Sequence, residues 1–95
     1  MLNFWMVIKD LQIGESCTVY RSGPINYSLT LRRVNIFTNN YIFQGECLQR
    51  NFHHISYGCF VVNELRRKVV RQVVDDTVEN SPDPTYARIV RTMFS

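Results

Sequence analysis

Cys47, His53, His54 and Cys59 fall within thirteen residues and are the first place to look for chemistry. Zinc takes four nitrogen or sulfur ligands, usually offered as two close pairs. The spacing here is C-x5-H-H-x4-C, and adjacent histidines on an extended segment point apart. That describes a polar loop with two surface histidines and two half-buried thiols, not a metal site. Cys59 with either histidine and Asp75 has the residue types of an activated nucleophile. No local signature surrounds any of the three cysteines, and 95 residues leave little chain for a cleft and an oxyanion site. Cys59 reads instead as a small hydrophobe in a strand. The glycines at 14, 23, 45 and 58 form no phosphate cradle. The expectation is a non-enzymatic chain with no catalytic, cofactor or metal site.

Tyr57-Gly58-Cys59-Phe60-Val61-Val62 is similar to the base-stacking central strand of RNA-recognition domains. The spacing is off by one residue, no basic residue precedes it, and the strand and helix order of those domains cannot be drawn on this chain. That reading is rejected.

The elements that must position these side chains are strands first, then helices. Leu2 to Ile8 reads as a strand, with a short helix as the alternative because both parities are apolar. Ile13-Gly14-Glu15 reads as a turn into a strand through Cys17, Val19 and Arg21, and Ser22-Gly23-Pro24 breaks it. Ile25, Tyr27, Leu29 and Leu31 then alternate with Asn26, Ser28, Thr30 and Arg32, the pattern of a half-buried antiparallel strand. The phase slips at Arg33, which predicts a bulge at Arg32-Arg33. Thr38-Asn39-Asn40 predicts a hairpin turn, because asparagine tolerates a positive φ. Return strands follow at Tyr41–Leu48 and Ile55–Val62, around a polar loop from Gln49 to His54.

From Asn63 onward the spacing predicts helix. Asn63 is a plausible N-cap, and Leu65, Val69, Val73 with Val70, Val74 and Val78 repeat at three and four residues. Ser81-Pro82-Asp83-Pro84 stops that helix, and Asp83 with Pro84 starts a short second one bearing Tyr86, Ile89, Val90 and Met93. The predicted fold is therefore α+β and a single domain over residues 1–95. It has an antiparallel sheet of four to five strands (about 2–62), a long packing helix (about 64–79) and a short C-terminal helix (about 84–94).

Composition bounds the function classes. Hydrophobic residues at 45% and a net charge of +3 exclude a disordered chain, and the length excludes a two-domain enzyme. An odd cysteine count without paired spacing predicts free thiols in a reducing compartment, cytoplasmic or nuclear. No apolar run approaches the roughly 20 residues of a membrane helix, so no membrane partner is expected. Small size without a targeting segment suits a viral or mobile-element accessory protein.

Charge is distributed unevenly. Arg66, Arg67, Lys68 and Arg71 open the expected helix, while Asp75, Asp76, Glu79 and Asp83 close and follow it, against the helix macrodipole. A two-fold axis near Val73 would set each basic half against a partner's acidic half. The leading expectation is thus a small regulatory protein that associates with another protein, as a homodimer through Val70, Val73, Val74 and Val78. The alternative is a basic module that holds RNA or DNA phosphates with Arg66, Arg67, Lys68, Arg71, Arg32, Arg33 and Arg50.

Overall fold

The computed structural model describes residues 4–23, 25–48, 54–73 and 84–94. A short helix α1 (Phe4–Ile8) leads into five strands, β1 (Ser16–Ser22), β2 (Ile25–Asn35), β3 (Asn40–Leu48), β4 (His54–Asn63) and β5 (Lys68–Val73). A helix α2 (Pro84–Met93) follows. The strands form one antiparallel sheet in sequence order, β1-β2-β3-β4-β5, so each strand pairs with its neighbours in the chain. The α+β class and the antiparallel sheet agree with the sequence, which placed β1 to β4, while the fifth strand comes from residues expected to be helical.

Burial follows the alternation. Tyr27, Leu29 and Leu31 on β2, Phe43 and Cys47 on β3, and Phe60 and Val62 on β4 are buried on one face. The helices close that face. Tyr86 and Val90 of α2 and Phe94 just beyond it are fully buried, and Trp5 and Ile8 of α1 join the same cluster. Phe94 lies 5.4 Å from the Trp5 ring and 5.8 Å from the Phe43 ring, tying both helices to the sheet. Tyr86 donates its hydroxyl proton to the Ser28 carbonyl at 2.8 Å. Gly45 leaves room for the Tyr86 ring: a Cβ there would sit 2.9 Å from Phe60 Cε2 and from Tyr86 Cε1 and Oη.

Two expectations need correction. The Leu2–Ile8 segment is not a strand where it is described, because Phe4–Ile8 is helical. Trp5 and Ile8, three apart, are buried together while Met6 and Val7 face out, a helical spacing that alternation cannot satisfy. The long packing helix of about 64–79 is absent over its described part. Residues 64–67 form a hairpin turn, and Lys68–Val73 is the edge strand β5. Asn63 acts like an N-cap, its Oδ1 accepting the Arg66 N–H at 2.9 Å. The chain then leaves the helical path at Arg67, with φ at 52°, and its N–H closes the loop on the Asn63 carbonyl at 2.8 Å. Valine is a weak helix former and suits a pleated edge, so pairing with β4 wins. Residues 74–79 lie outside the described residues.

The expected bulge is present, with the β2–β3 register slipping between Leu31 and Arg33. The turn before β3 spans residues 36–39, and Asn39 takes the expected positive φ, 60°.

Burial of two ionisable groups makes the fold sensitive to alkali. Burial pushes the Cys17 thiol up to about 11, a rise that a hydrogen bond with the Leu29 backbone partly opposes. Burial also raises the Tyr86 phenol above its usual value. Each group holds its proton more tightly folded than unfolded. Its contribution to stability is complete below the unfolded value, about 9 for the thiol and about 10 for the phenol, and is lost as pH climbs toward the folded value. Thermal melts of the wild type are therefore expected to fall progressively above about pH 9. Cys17→Ala should flatten the first part of that fall and Tyr86→Phe the later part. A wild-type melting temperature constant through this window would contradict the burial of both groups.

Candidate functional site

Both described helices lie on the Phe43–Phe60 face, and none of the described elements covers the other. The strand register fixes what that outer face carries. Arg33 pairs with Ile42, Ile42 with Val61, and Val61 with Arg71, a row across four strands. At about 4.8 Å per strand, the two arginine Cα atoms at its ends stand roughly 14 Å apart. The next row runs Ser16, Thr30, Gln44, Cys59, Val73. Arg33 and Arg71 are exposed, and Ile42 and Val61 between them are half-buried. The face therefore has an aliphatic centre with arginines at its sides.

The bulge widens the cationic side. By placing Arg32 and Arg33 consecutively in the open, it lets Arg32 reach back along the same face. Arg32 Nε donates to Gln44 Oε1 at 2.6 Å, and its Nη2 lies 3.8 Å from Glu46 Oε1. Nothing similar holds Arg33 or Arg71, whose side chains have no ion pair among the described residues. Ser16 and Thr30 hydroxyls share a 2.6 Å hydrogen bond nearby.

The candidate residues divide as follows. Arg32, Arg33 and Arg71 come together on the outer face. Lys68, opposite Asn63, stands one row nearer the turn, and Arg66 and Arg67 occupy the turn itself. Arg50 lies outside the described residues. The described half of the expected dimer set, Val70 and Val73, lies on a strand and not on a helical stripe. Val70 is unpaired in a bulge and Val73 stands on the outer face, 38% and 41% exposed, while Val74 and Val78 lie outside the described residues.

Of the constellations considered from the sequence, the described side chains are those of the three cysteines. Cys59 is half-buried on the outer face, with Gln44 and Val73 as its sheet partners. Cys47 is buried in the core, and the three cysteines are free. His53 and Asp75 lie outside the described residues. Among the described residues no group of three or more His, Cys, Asp or Glu is placed to hold a metal ion. None of their helices is long and apolar enough to cross a membrane.

Ile42 and Val61 were missed from the sequence. Each sits in a run where both parities are apolar, Tyr41-Ile42-Phe43 and Phe60-Val61-Val62, so alternation gives them no face. The exposed turn residues Ile36, Phe37 and Leu65 were missed too, Leu65 because it was placed in the expected helix.

No family model, no curated protein and no solved structure matches the chain.

Proposed function

We propose that the chain is a small non-enzymatic interaction domain that binds an acidic surface of another protein through the outer face of its sheet. The observation that carries this reading is the Arg33–Ile42–Val61–Arg71 row: an aliphatic centre, already half-buried, between unpaired arginines on a face no described element covers. Protein interfaces combine an apolar centre with a polar rim and are enriched in arginine, whose planar fork takes a carboxylate by two hydrogen bonds. A second copy of the same face is a poor occupant. Arg21, Arg32, Arg33, Lys68 and Arg71 stand there against Glu46 alone among described charged residues, so stacking would oppose like charges. Over residues 64–73 the helix on which the expected homodimer was built is a turn and a strand.

The phosphate-binding reading is favoured by one observation. Six of the seven candidate cations, all but Arg50, lie on the outer face or in the adjoining β4–β5 turn. The described part of that face carries no aromatic on which a base would stack, so it suits a backbone contact without base readout.

The test uses poly-L-glutamate and a duplex RNA as probes of the full chain at low and moderate salt. Arg33→Gln with Arg71→Gln is expected to weaken poly-L-glutamate binding about tenfold, two exposed pairs at up to roughly 1 kcal/mol each. The melting temperature should barely change. Binding of RNA but not of poly-L-glutamate would transfer the function to the phosphate reading. Undiminished binding by the double variant would remove the face from either.

A further inference from the structure

The two hairpin turns at one end of the sheet are joined. Asn63 Nδ2 donates to the Thr38 carbonyl at 3.0 Å and to Asn40 Oδ1 at 2.8 Å, and the Glu64 N–H donates to the Asn39 carbonyl at 2.9 Å. Each turn has its own internal clamp as well. Asn35 Oδ1 accepts the Phe37 and Thr38 N–H groups, and Asn63 Oδ1 accepts that of Arg66. Residues 36–39 and 64–67 are thus presented as one braced edge.

That edge is apolar where it should be polar. Phe37 is 92% exposed, Leu65 77% and Ile36 75%. Met6 of α1, 69% exposed, reaches the same end, where a pocket of about 60 Å³ is lined by Trp5, Met6, Lys9, Glu64 and Arg67. Single exposed hydrophobes are ordinary, but several gathered at one end mark a contact. Cations surround them: Lys9, Arg66, Arg67 and Lys68 are exposed. Of the nearby acids, Glu64 is half-buried and accepts the Tyr41 hydroxyl proton at 3.3 Å, and Asp10 is exposed beside Lys9.

We infer that this end of the sheet docks on an anionic lipid surface, with Phe37, Ile36 and Leu65 entering the boundary of the acyl chains and the cations at headgroup depth. Apolar side chains projecting from turn tips suit a soft, flat, deformable partner. Exposed aliphatics gain nothing from a phosphate backbone, and a protein partner would have to supply a cavity for each tip. Interfacial anchoring takes two terms, buried apolar area and attraction to anionic lipid, and both are present here. Each basic residue near such a surface multiplies affinity by about fivefold. That no described helix is long and apolar enough to span a bilayer bears on crossing one and not on resting against it. This docking edge is separate from the Arg33–Arg71 row, so either site can fail alone.

Flotation of the full chain with vesicles tests it. One set is pure phosphatidylcholine; in the other about a third of the lipid is phosphatidylserine. The wild type should float with the second set and not the first. Phe37→Ser with Leu65→Ser should lower that partitioning about tenfold or more at unchanged melting temperature, since neither side chain contributes to the core. Arg66→Gln with Lys68→Gln should lower it too and reduce its salt sensitivity. Absence of flotation with the phosphatidylserine vesicles would overturn the inference. So would equal flotation of the Phe37/Leu65 variant, which would leave only a charge contact of the kind RNA also satisfies. A wild type that forms oligomers without lipid, made monomeric by the Phe37/Leu65 change, would assign the tips to a second copy instead.

Discussion

Gly45→Val is expected to destabilise the fold by about 2–6 kcal/mol. Glycine in a strand interior is usually a weakness, and alanine there commonly stabilises by about 0.5–1 kcal/mol. At Gly45 the sign reverses. The added Cβ meets Phe60 Cε2, Tyr86 Cε1 and Tyr86 Oη at 2.9 Å, inside the contact distance that real Cβ atoms keep. Both rings are fully buried and have no free direction in which to retreat. Tyr86 is further pinned by its hydrogen bond to the Ser28 carbonyl and by packing 4.7 Å from the Tyr27 ring. Overpacking costs about 1–3 kcal/mol even for small additions, and breaking the buried hydrogen bond adds about 1–3 kcal/mol more. A domain of this length has only about 5–14 kcal/mol in hand. Valine should consume a large share of it, and Gly45→Ala a smaller but still unfavourable one. Urea unfolding of Gly45→Ala alone and in a Tyr86→Leu background checks the cause. The alanine penalty should shrink once the ring is gone, and an equal penalty in both backgrounds would place the strain elsewhere.

Phe94→Ala should cost about 3–5 kcal/mol, the range for truncating a buried aromatic. Phe94 is fully buried just past the end of α2, and its N–H still donates to the Val90 carbonyl at 3.3 Å. Its ring contacts Trp5 of α1 and Phe43 of β3, so one truncation opens a cavity among three elements. The sheet keeps its own hairpins. We therefore expect the urea midpoint to fall while far-ultraviolet dichroism below that midpoint stays close to wild type. Tryptophan fluorescence should shift red, because Trp5 is the single tryptophan and packs edge-on against Phe94. An unchanged midpoint would mean that Phe94 does not anchor α2.

Most of the sheet was legible because it is local. Period-two alternation from Ile25 to Leu31, the slip at Arg33 and the asparagines at 39 and 40 each leave a mark within a few residues. The C-terminal helix was legible from Pro84 and the Tyr86–Val90 stripe for the same reason. The 64–73 segment misled because a helix and a hairpin loop begin alike, with an asparagine oxygen on the N–H three residues on. What separates them is the left-handed backbone at Arg67, and arginine does not announce a positive φ. The valines were then read at three and four residues when, of the described Val69, Val70 and Val73, only Val69 faces the core, across from Val62. The basic residues of the candidate site were legible as residue types. Their gathering was not, since a row from Arg33 through Ile42 and Val61 to Arg71 depends on the register of four strands, which no local pattern encodes.

Cys17 and Cys47 illustrate what the sheet does to chemistry that the sequence left open. The first is held protonated by burial and the second is sealed in the core, while Cys59 alone is half-exposed on the outer face. Its position in the row of Gln44 and Val73 makes it a convenient reporter for occupancy of that face.

The most direct measurement is the backbone amide spectrum of the isotope-labelled full chain, titrated with poly-L-glutamate at low salt. Binding through the outer face should shift the amides of Arg33, Ile42, Val61 and Arg71 and slow alkylation of Cys59, leaving Leu29, Phe43 and Phe60 nearly still. Shifts confined to other parts of the chain, or none at saturating polymer, would contradict it.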